Sequence, residues 1–257
     1  MMLLKNKTVF ITGASSGIGQ ACAEVFAEAG ARLILLARRI DRINELAEFL
    51  KDKFGTEAIG FQCDVRNAAA VFKTVEDLPE AWRDIDILIN NAGLSRGLDK
   101  IQDGVLQNWE EMIDTNVKGL LYVTRAISPK MVERGSGMII NIASIAGREV
   151  YPNGNVYCAT KHAARALSQS MQIDLNGTGI RVTNIDPGMV DTEFSVVRFR
   201  GDEERASNVY KGFEPLHGRD VAETALFCAT RPPHVSIQDI LVMPSAQASA
   251  TIVHKKL

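Results

Sequence analysis

The chain has 257 residues, 46% of them hydrophobic, with a formal net charge of −2 and a pI near 6.1. That length supplies one large α/β domain with a well-buried core, and the near-neutral charge argues against a nucleic-acid-binding surface. No apolar run approaches the roughly 20 residues that span a bilayer, and residues 1–7 are too few and too polar for a secretory signal, so a soluble, cytoplasmic protein with no membrane partner is expected.

Short β-branched and leucine-rich runs alternate with longer amphipathic runs. Thr8–Thr12 reads as the first strand and 17–29 as the helix after it. Arg32–Ala37 is the second strand, followed by a helix over about 41–53. Strands are then expected at Ala58–Gln62, 85–90, Gly137–Ile142, 180–185 and 239–243. Several are apolar throughout, as strands covered on both faces are. The alternation predicts a doubly wound parallel sheet in a single domain, 1–257. The charged, turn-rich stretch 188–218 is the longest without a predicted element, and a loop of that length in a compact domain is expected to be functional.

Between the first strand and its helix, Gly13, Gly17 and Gly19 form a G-x-x-x-G-x-G turn that also contains Ser15, Ser16 and Ile18. Such a turn brings the backbone close to a pyrophosphate and aims a helix N-terminus at its charge. A carboxylate at the end of the second strand would select NAD(H) through the ribose 2′-hydroxyl. This chain has Arg38 and Arg39 there, and guanidinium groups bind a 2′-phosphate by charge-assisted hydrogen bonds, so NADP(H) is the expected cofactor.

Tyr157 and Lys161 lie one helical turn apart on one face. An ammonium beside a phenol favours the phenolate, so the Tyr157 pKa is expected to fall toward working pH and make it a general acid/base. Ser144 is expected to hold the substrate oxygen beside it. The implied chemistry is hydride transfer at an alcohol or carbonyl carbon. Cys22, Cys63, Cys158 and Cys228 are scattered, with no metal-ligand spacing, and are read as reduced, mostly buried thiols with no metal site.

These motifs, with the Asn-Asn-Ala-Gly run at 90–93, Asn116 and the pair Pro187 and Gly188, resemble the short-chain dehydrogenase/reductase family over nearly the whole chain. The resemblance implies a Rossmann-type fold with Asn116, Ser144, Tyr157 and Lys161 as catalytic residues. Asn116 would position a water of the proton relay, and Lys161 would also hold the nicotinamide ribose. Asp64 and Val65 would lie at the adenine, Asn91, Ala92 and Gly93 beside the adenosine ribose, and Pro187, Gly188, Val190 and Thr192 along the nicotinamide side. Asp64 alternatively caps the helix that begins near Asn67. The helices around 108–134 and 159–175 match those that commonly build homotetramers in such proteins.

The run VDTEFSVVRFRGD at 190–202, PEAW at 79–82 and MIDTN at 112–116 are similar to the NADP-dependent 3-hydroxy acid dehydrogenase subgroup, acting on serine, allo-threonine and related acids or semialdehydes. A carboxylated substrate needs a cationic partner, and arginine offers a bidentate fork. Arg198 is the first choice, Arg200 the second and Arg148 the third, unless these arginines merely pair with Glu193 or Asp202. The alternatives are a reductase of a 3-oxoacyl, sugar or uncharged carbonyl substrate, and a non-catalytic NADP-binding scaffold.

Overall fold

The computed structural model describes residues 3–256. Seven parallel strands form one sheet: β1 (Thr8–Thr12), β2 (Arg32–Ala37), β3 (Ala58–Gln62), β4 (Ile87–Asn90), β5 (Gly137–Ile142), β6 (Ile180–Pro187) and β7 (Asp239–Val242), in the order 3-2-1-4-5-6-7. The helices are α1 (Gly17–Glu28), α2 (Ile40–Phe54), α3 (Ala68–Glu76), α4 (Leu106–Ile113), α5 (Leu120–Arg134), α6 (Asn155–Asp174), the short α7 (Phe194–Arg198) and α8 (Glu203–Ser207), and α9 (Gly218–Ala229).

Because side chains alternate along a strand, each central strand feeds two cores. Val9 and Ile11 of β1 join Leu33, Ile87 and Ile140 under α1, α2 and α9. Phe10 joins Ile34, Leu88 and Ile139 on the other face, under α3, α5 and α6. Both faces are covered, so the middle positions of β1, β2 and β4 are apolar on both sides, while buried polar residues such as Thr12, Asn90, Asn141 and Asp186 sit toward the carboxyl ends, and each fully buried Leu, Ile or Phe contributes about 1.5–3 kcal/mol. The edge strands differ. β3 is only partly buried, and β7 alternates exposed and half-buried residues.

The strand order reverses at the β1/β4 neighbours. In a parallel sheet this opens a crevice at the carboxyl ends of the strands. Helices α4 and α5 form one rod joined by a π-helical segment, Asp114–Gly119, which carries Asn116. The stretch predicted to lack elements is partly ordered into them. It holds α7, α8 and a two-stranded ribbon in which Val190 and Asp191 pair with Leu216 and His217. No helix among the described residues is long and apolar enough to cross a membrane.

Candidate active site

A cavity of about 350 Å³ lies at the carboxyl ends of the strands. Its wall contains Gly13, Ser15, Ser16, Gly17 and Ile18 from the turn after β1, and Arg38 and Arg39 from the end of β2. Asp64 and Val65 follow β3, while Asn91, Ala92 and Gly93 follow β4. Ser144, Tyr157, Lys161, Pro187, Gly188, Val190, Thr192 and Arg198 complete the predicted set in the wall. Gly19 and Asn116 lie outside it, as do Arg200 and Arg148, the second and third choices for the substrate carboxylate.

The turn is built for close approach. Gly13 and Gly17 have φ of +67° and +57°, a region that favours glycine. A Cβ on Gly19 would overlap the Gly13 carbonyl and the Asn91 side chain, so Gly19 packs the helix against the turn. Asn91 clamps the same turn by donating to the Thr12 and Gly13 carbonyls, and Thr12 Oγ1 accepts from the Asn91 and Ala92 amides at 3.0 Å. The backbone of this cradle is thus held open and ready for a pyrophosphate.

Asp64 does not cap α3. Asn67 does, its Oδ1 accepting from the Ala70 amide at 3.1 Å. Asp64 instead accepts from the Arg66 amide and guanidinium at 2.6–3.0 Å. Partial burial pushes its carboxyl up, but these Arg66 contacts hold it below the usual range. Asn116 spends its amide on structure. Its Oδ1 accepts from Leu94 N at 2.8 Å, and its Nδ2 donates to Leu94 O and Thr160 Oγ1.

Ser144 sits at the end of β5 in extended backbone. Its amide donates to the buried Asp186 carboxylate at 3.2 Å, and its Oγ accepts from the Ala146 amide. Tyr157 and Lys161 on α6 are 7% and 6% exposed, so water screens neither. The Lys161 ammonium donates to the Ile142 carbonyl at 3.1 Å and lies 5.9 Å from the Tyr157 ring centroid.

The expected fall in the Tyr157 pKa is not what the structure shows. Burial pushes the phenol above its ordinary value and the neighbouring Tyr151 adds to the rise, while Arg198 and the Ser144 hydroxyl pull part of it back. Desolvation disfavours the phenolate, and Lys161 is engaged at the β5 carbonyl. The phenol therefore rests as a proton donor. Burial also lowers Lys161 from 10.5 to about 8, with Asp186 opposing the fall.

That shift has a stability consequence with a definite sign. The unfolded chain holds the Lys161 proton up to pH 10.5 and the folded chain only to about 8, so burial of this charge costs stability fully below pH 8 and the cost fades toward pH 10.5. Lys161→Met is expected to abolish turnover and yet raise unfolding stability at pH 7 by on the order of 3 kcal/mol. Urea melts at pH 7 and pH 9.5 test this, the gain being smaller at the higher pH. A variant less stable than the parent at pH 7 refutes it.

Arg198, on α7, stands over the rings of Tyr157 and Phe194 at 5.3 and 5.1 Å. Its Nη2 donates to Tyr151 Oη at 3.2 Å, and its buried Nε has no partner. The other two arginines are committed elsewhere. Arg200, with a φ of +54°, donates to Asn108 Oδ1 outside the cavity. Arg148 is held by Asp186 and Asp239, both at 2.6 Å. Glu193 and Asp202 do not occupy Arg198 either, because Glu193 pairs with Arg39 and Arg42 and Asp202 caps α8.

The wall also contains Tyr151, Phe194, Gln247 and Glu193, which no sequence motif marks as site residues. Gln247 is 5% exposed, and its Oε1 accepts from the Met189 amide at 2.8 Å. No local spacing marks it, since it comes from the chain's last fifteen residues. The four cysteines are buried and free, and burial pushes Cys22 up to about 12.

A dinucleotide cradle beside a half-buried Ser144 and the buried Tyr157 and Lys161 defines a dehydrogenase acting on CH–OH groups. Residues 7–202 match the family description of short chain dehydrogenase, and the chain belongs to that family. It is 45% identical over 257 residues to the NADP-dependent 3-hydroxy acid dehydrogenase of Schizosaccharomyces pombe, covering 100% of this chain and 99% of the relative. It is 44% identical over 241 residues to sulfoacetaldehyde reductase 2 of Chromohalobacter salexigens, covering 93% and 95% of the two chains. The structure of the closed form of serine dehydrogenase complexed with NADP+ superposes with a TM-score of 0.91 at 44% identity, covering 97% of this chain and 100% of that one.

Proposed function

We propose that this protein is an NADP-dependent dehydrogenase that interconverts a short 3-hydroxy acid and its 3-oxo acid or semialdehyde. The observation that carries the substrate class is Arg198. It is the arginine of the cavity wall nearest Tyr157, and its buried Nε lacks a partner. A buried unpaired guanidinium N–H is costly unless an anion meets it, and a substrate carboxylate supplies that anion. The likeness to the fission-yeast 3-hydroxy acid dehydrogenase and to the serine dehydrogenase structure supports the same class.

The cofactor, when bound, supplies or accepts the hydride at the substrate carbon. The cradle from Gly13 to Gly19, the Asn91–Gly93 turn and Val65 would hold it, with its 2′-phosphate toward Arg38 and Arg39. The open backbone at Gly13 and Gly17 fits such a group. Tyr157 would give its proton to the carbonyl oxygen in reduction and take it back in oxidation. Ser144 would donate a second hydrogen bond to that oxygen, so charge developing there meets two preorganised donors. Lys161 would hold positive charge beneath the phenol. Asn116 keeps Leu94 fixed, and a water at its remaining Oδ1 lone pair would extend the relay.

Initial rates with short 3-hydroxy acids against matched neutral alcohols test the substrate class. Selective turnover of the acids supports it, and turnover of neutral alcohols alone overturns it while leaving the chemistry intact. The sulfonate analogue belongs in the same panel because a sulfonate would meet the same guanidinium. The cofactor half has its own test. The ratio of Michaelis constants for NAD and NADP is expected to collapse toward unity in an Arg38→Ala, Arg39→Ala double variant. An unchanged ratio removes that assignment.

We also infer a homotetramer. Leu106, Ile113 and Leu121 on the α4–α5 rod and Ile173 on α6 are large exposed apolar residues, and such surface is normally covered. Light scattering is expected to return four times the 28.1 kDa chain mass, and a monomer mass rejects this assembly.

A further inference from the structure

The cofactor arginines are joined to the substrate segment by one carboxylate. Glu193 Oε2 accepts from Arg39 Nη1 at 2.9 Å, and its Oε1 accepts from Arg42 Nη1 at 2.5 Å. Glu193 immediately precedes α7, the helix that carries Arg198. The remaining edge of Arg39 faces the glycine turn: Nε and Nη2 donate to Ser15 Oγ at 3.2 and 3.1 Å, and Nη2 donates to Ser16 Oγ at 2.8 Å. One guanidinium therefore has its two sides assigned, Nη1 to the substrate segment and the Nε–Nη2 edge to the pyrophosphate cradle.

We propose that Glu193 is a positioning residue that turns Arg39 toward the cofactor's 2′-phosphate and, through the same ion pair, seats the segment that carries Arg198. This rests on the NADP(H) and carboxylate readings above. An arginine side chain has many rotamers, and fixing it before the ligand arrives removes an entropic cost of binding. A planar guanidinium held by Glu193 through Nη1 keeps its Nε–Nη2 edge on the cofactor side, where a phosphate would take the place of the Ser15 and Ser16 hydroxyls without displacing the carboxylate. The surrounding charges suit this arrangement. Arg38 and Arg39 line the wall and Arg42 joins them through Glu193, so three positive charges face a dianionic phosphate and one carboxylate. Arg38 makes no side-chain hydrogen bond or ion pair among the described residues, which leaves it free for the phosphate. Isolated exposed ion pairs contribute little, but Glu193 bridges two arginines and links the β2 end to a segment over 150 positions away in the chain.

The test is calorimetric binding of NADPH and NADH to the full chain and to Glu193→Ala, Arg39→Ala and the double variant. Glu193→Ala is expected to weaken NADPH about 5–10-fold and NADH less than about twofold, a discrimination effect that a general loss of fold would not produce. In the Arg39→Ala background the same substitution is expected to add less than about twofold, because its action passes through Arg39. With saturating NADP, Glu193→Ala is also expected to raise KM for the 3-hydroxy acid several-fold, with kcat within about twofold. Tighter NADPH binding would mean that Glu193 competes with the phosphate, and it overturns the proposal. So does equal weakening of both cofactors, or an unchanged KM for the acid. If Arg39→Ala shifts NADPH affinity and Glu193→Ala does not, the cofactor reading stands and the positioning role falls. If Arg39→Ala leaves the NADPH-to-NADH preference unchanged, both fall together.

Discussion

Tyr157→Phe is expected to lower kcat about 10³-fold while leaving the NADPH dissociation constant within about twofold. The phenol ring packs in a small core with Leu94, Met112, Ala146 and Cys158. Phenylalanine keeps that ring, so the fold and the cavity survive and only the exchangeable proton is lost. The pH dependence should show which form of the group works. Burial and Tyr151 raise the phenol pKa, and Arg198 with Ser144 lowers it in part. With Tyr157 as the proton donor proposed above, carbonyl reduction draws on the protonated phenol, so its kcat/KM should stay flat from neutral pH upward until the phenol ionises. Alcohol oxidation needs the phenolate, so its rate should climb with pH over that same range. Stopped-flow single turnovers in both directions, on the parent and on Tyr157→Phe, would measure this. A variant retaining a tenth of the parent rate in both directions would mean that another group moves the proton.

Much of this site is legible in the sequence because local spacing carries it. The glycine turn needs residues that tolerate positive φ, and Gly13 and Gly17 have it. The i,i+4 relation puts Tyr157 and Lys161 on one helix face. What spacing cannot convey is where each charged tip ends. Lys161 terminates on a β5 carbonyl, and the depth of burial decides the phenol's pKa in the opposite direction from the simple ammonium argument. Arg148 illustrates the same limit. It follows Ser144 closely in the chain, yet Asp186 at the end of β6 and Asp239 at the start of β7 collect it, a meeting that only the sheet order creates. Asn116 is recognisable by motif, but the π-helical segment that turns it onto Leu94 has no sequence period of its own. The stretch 188–218 lacks clear periodicity because its helices are five residues each, too short to display one.

Arg198→Leu is expected to raise KM for a 3-hydroxy acid about 10–100-fold and KM for an uncharged ketone less than about threefold, the range that follows from losing one charge-assisted bond to an anion. Leucine keeps packing volume against Phe194 and the Tyr157 ring, while the guanidinium over both rings is removed. Two neighbours sharpen the expectation. Arg96 donates to the Val197 carbonyl at 2.6 Å, its Nε donates to Glu111 at 2.7 Å, and the Gly97 amide donates to the Arg198 carbonyl at 3.1 Å. The backbone of α7 is thus tied to α4 independently of the Arg198 side chain, so the substitution should leave the segment in place. The pH profile should move as well. Arg198 is a positive charge that lowers the Tyr157 pKa, so its removal raises that pKa further. The rising limb of oxidation should then shift to higher pH even with a neutral alcohol. A variant with equal KM changes for acid and ketone would show that Arg198 shapes the cavity without reading charge, and the carboxylate assignment would be lost. A selective KM effect without the shift in the oxidation limb would keep the carboxylate assignment and remove Arg198 from the electrostatics of Tyr157.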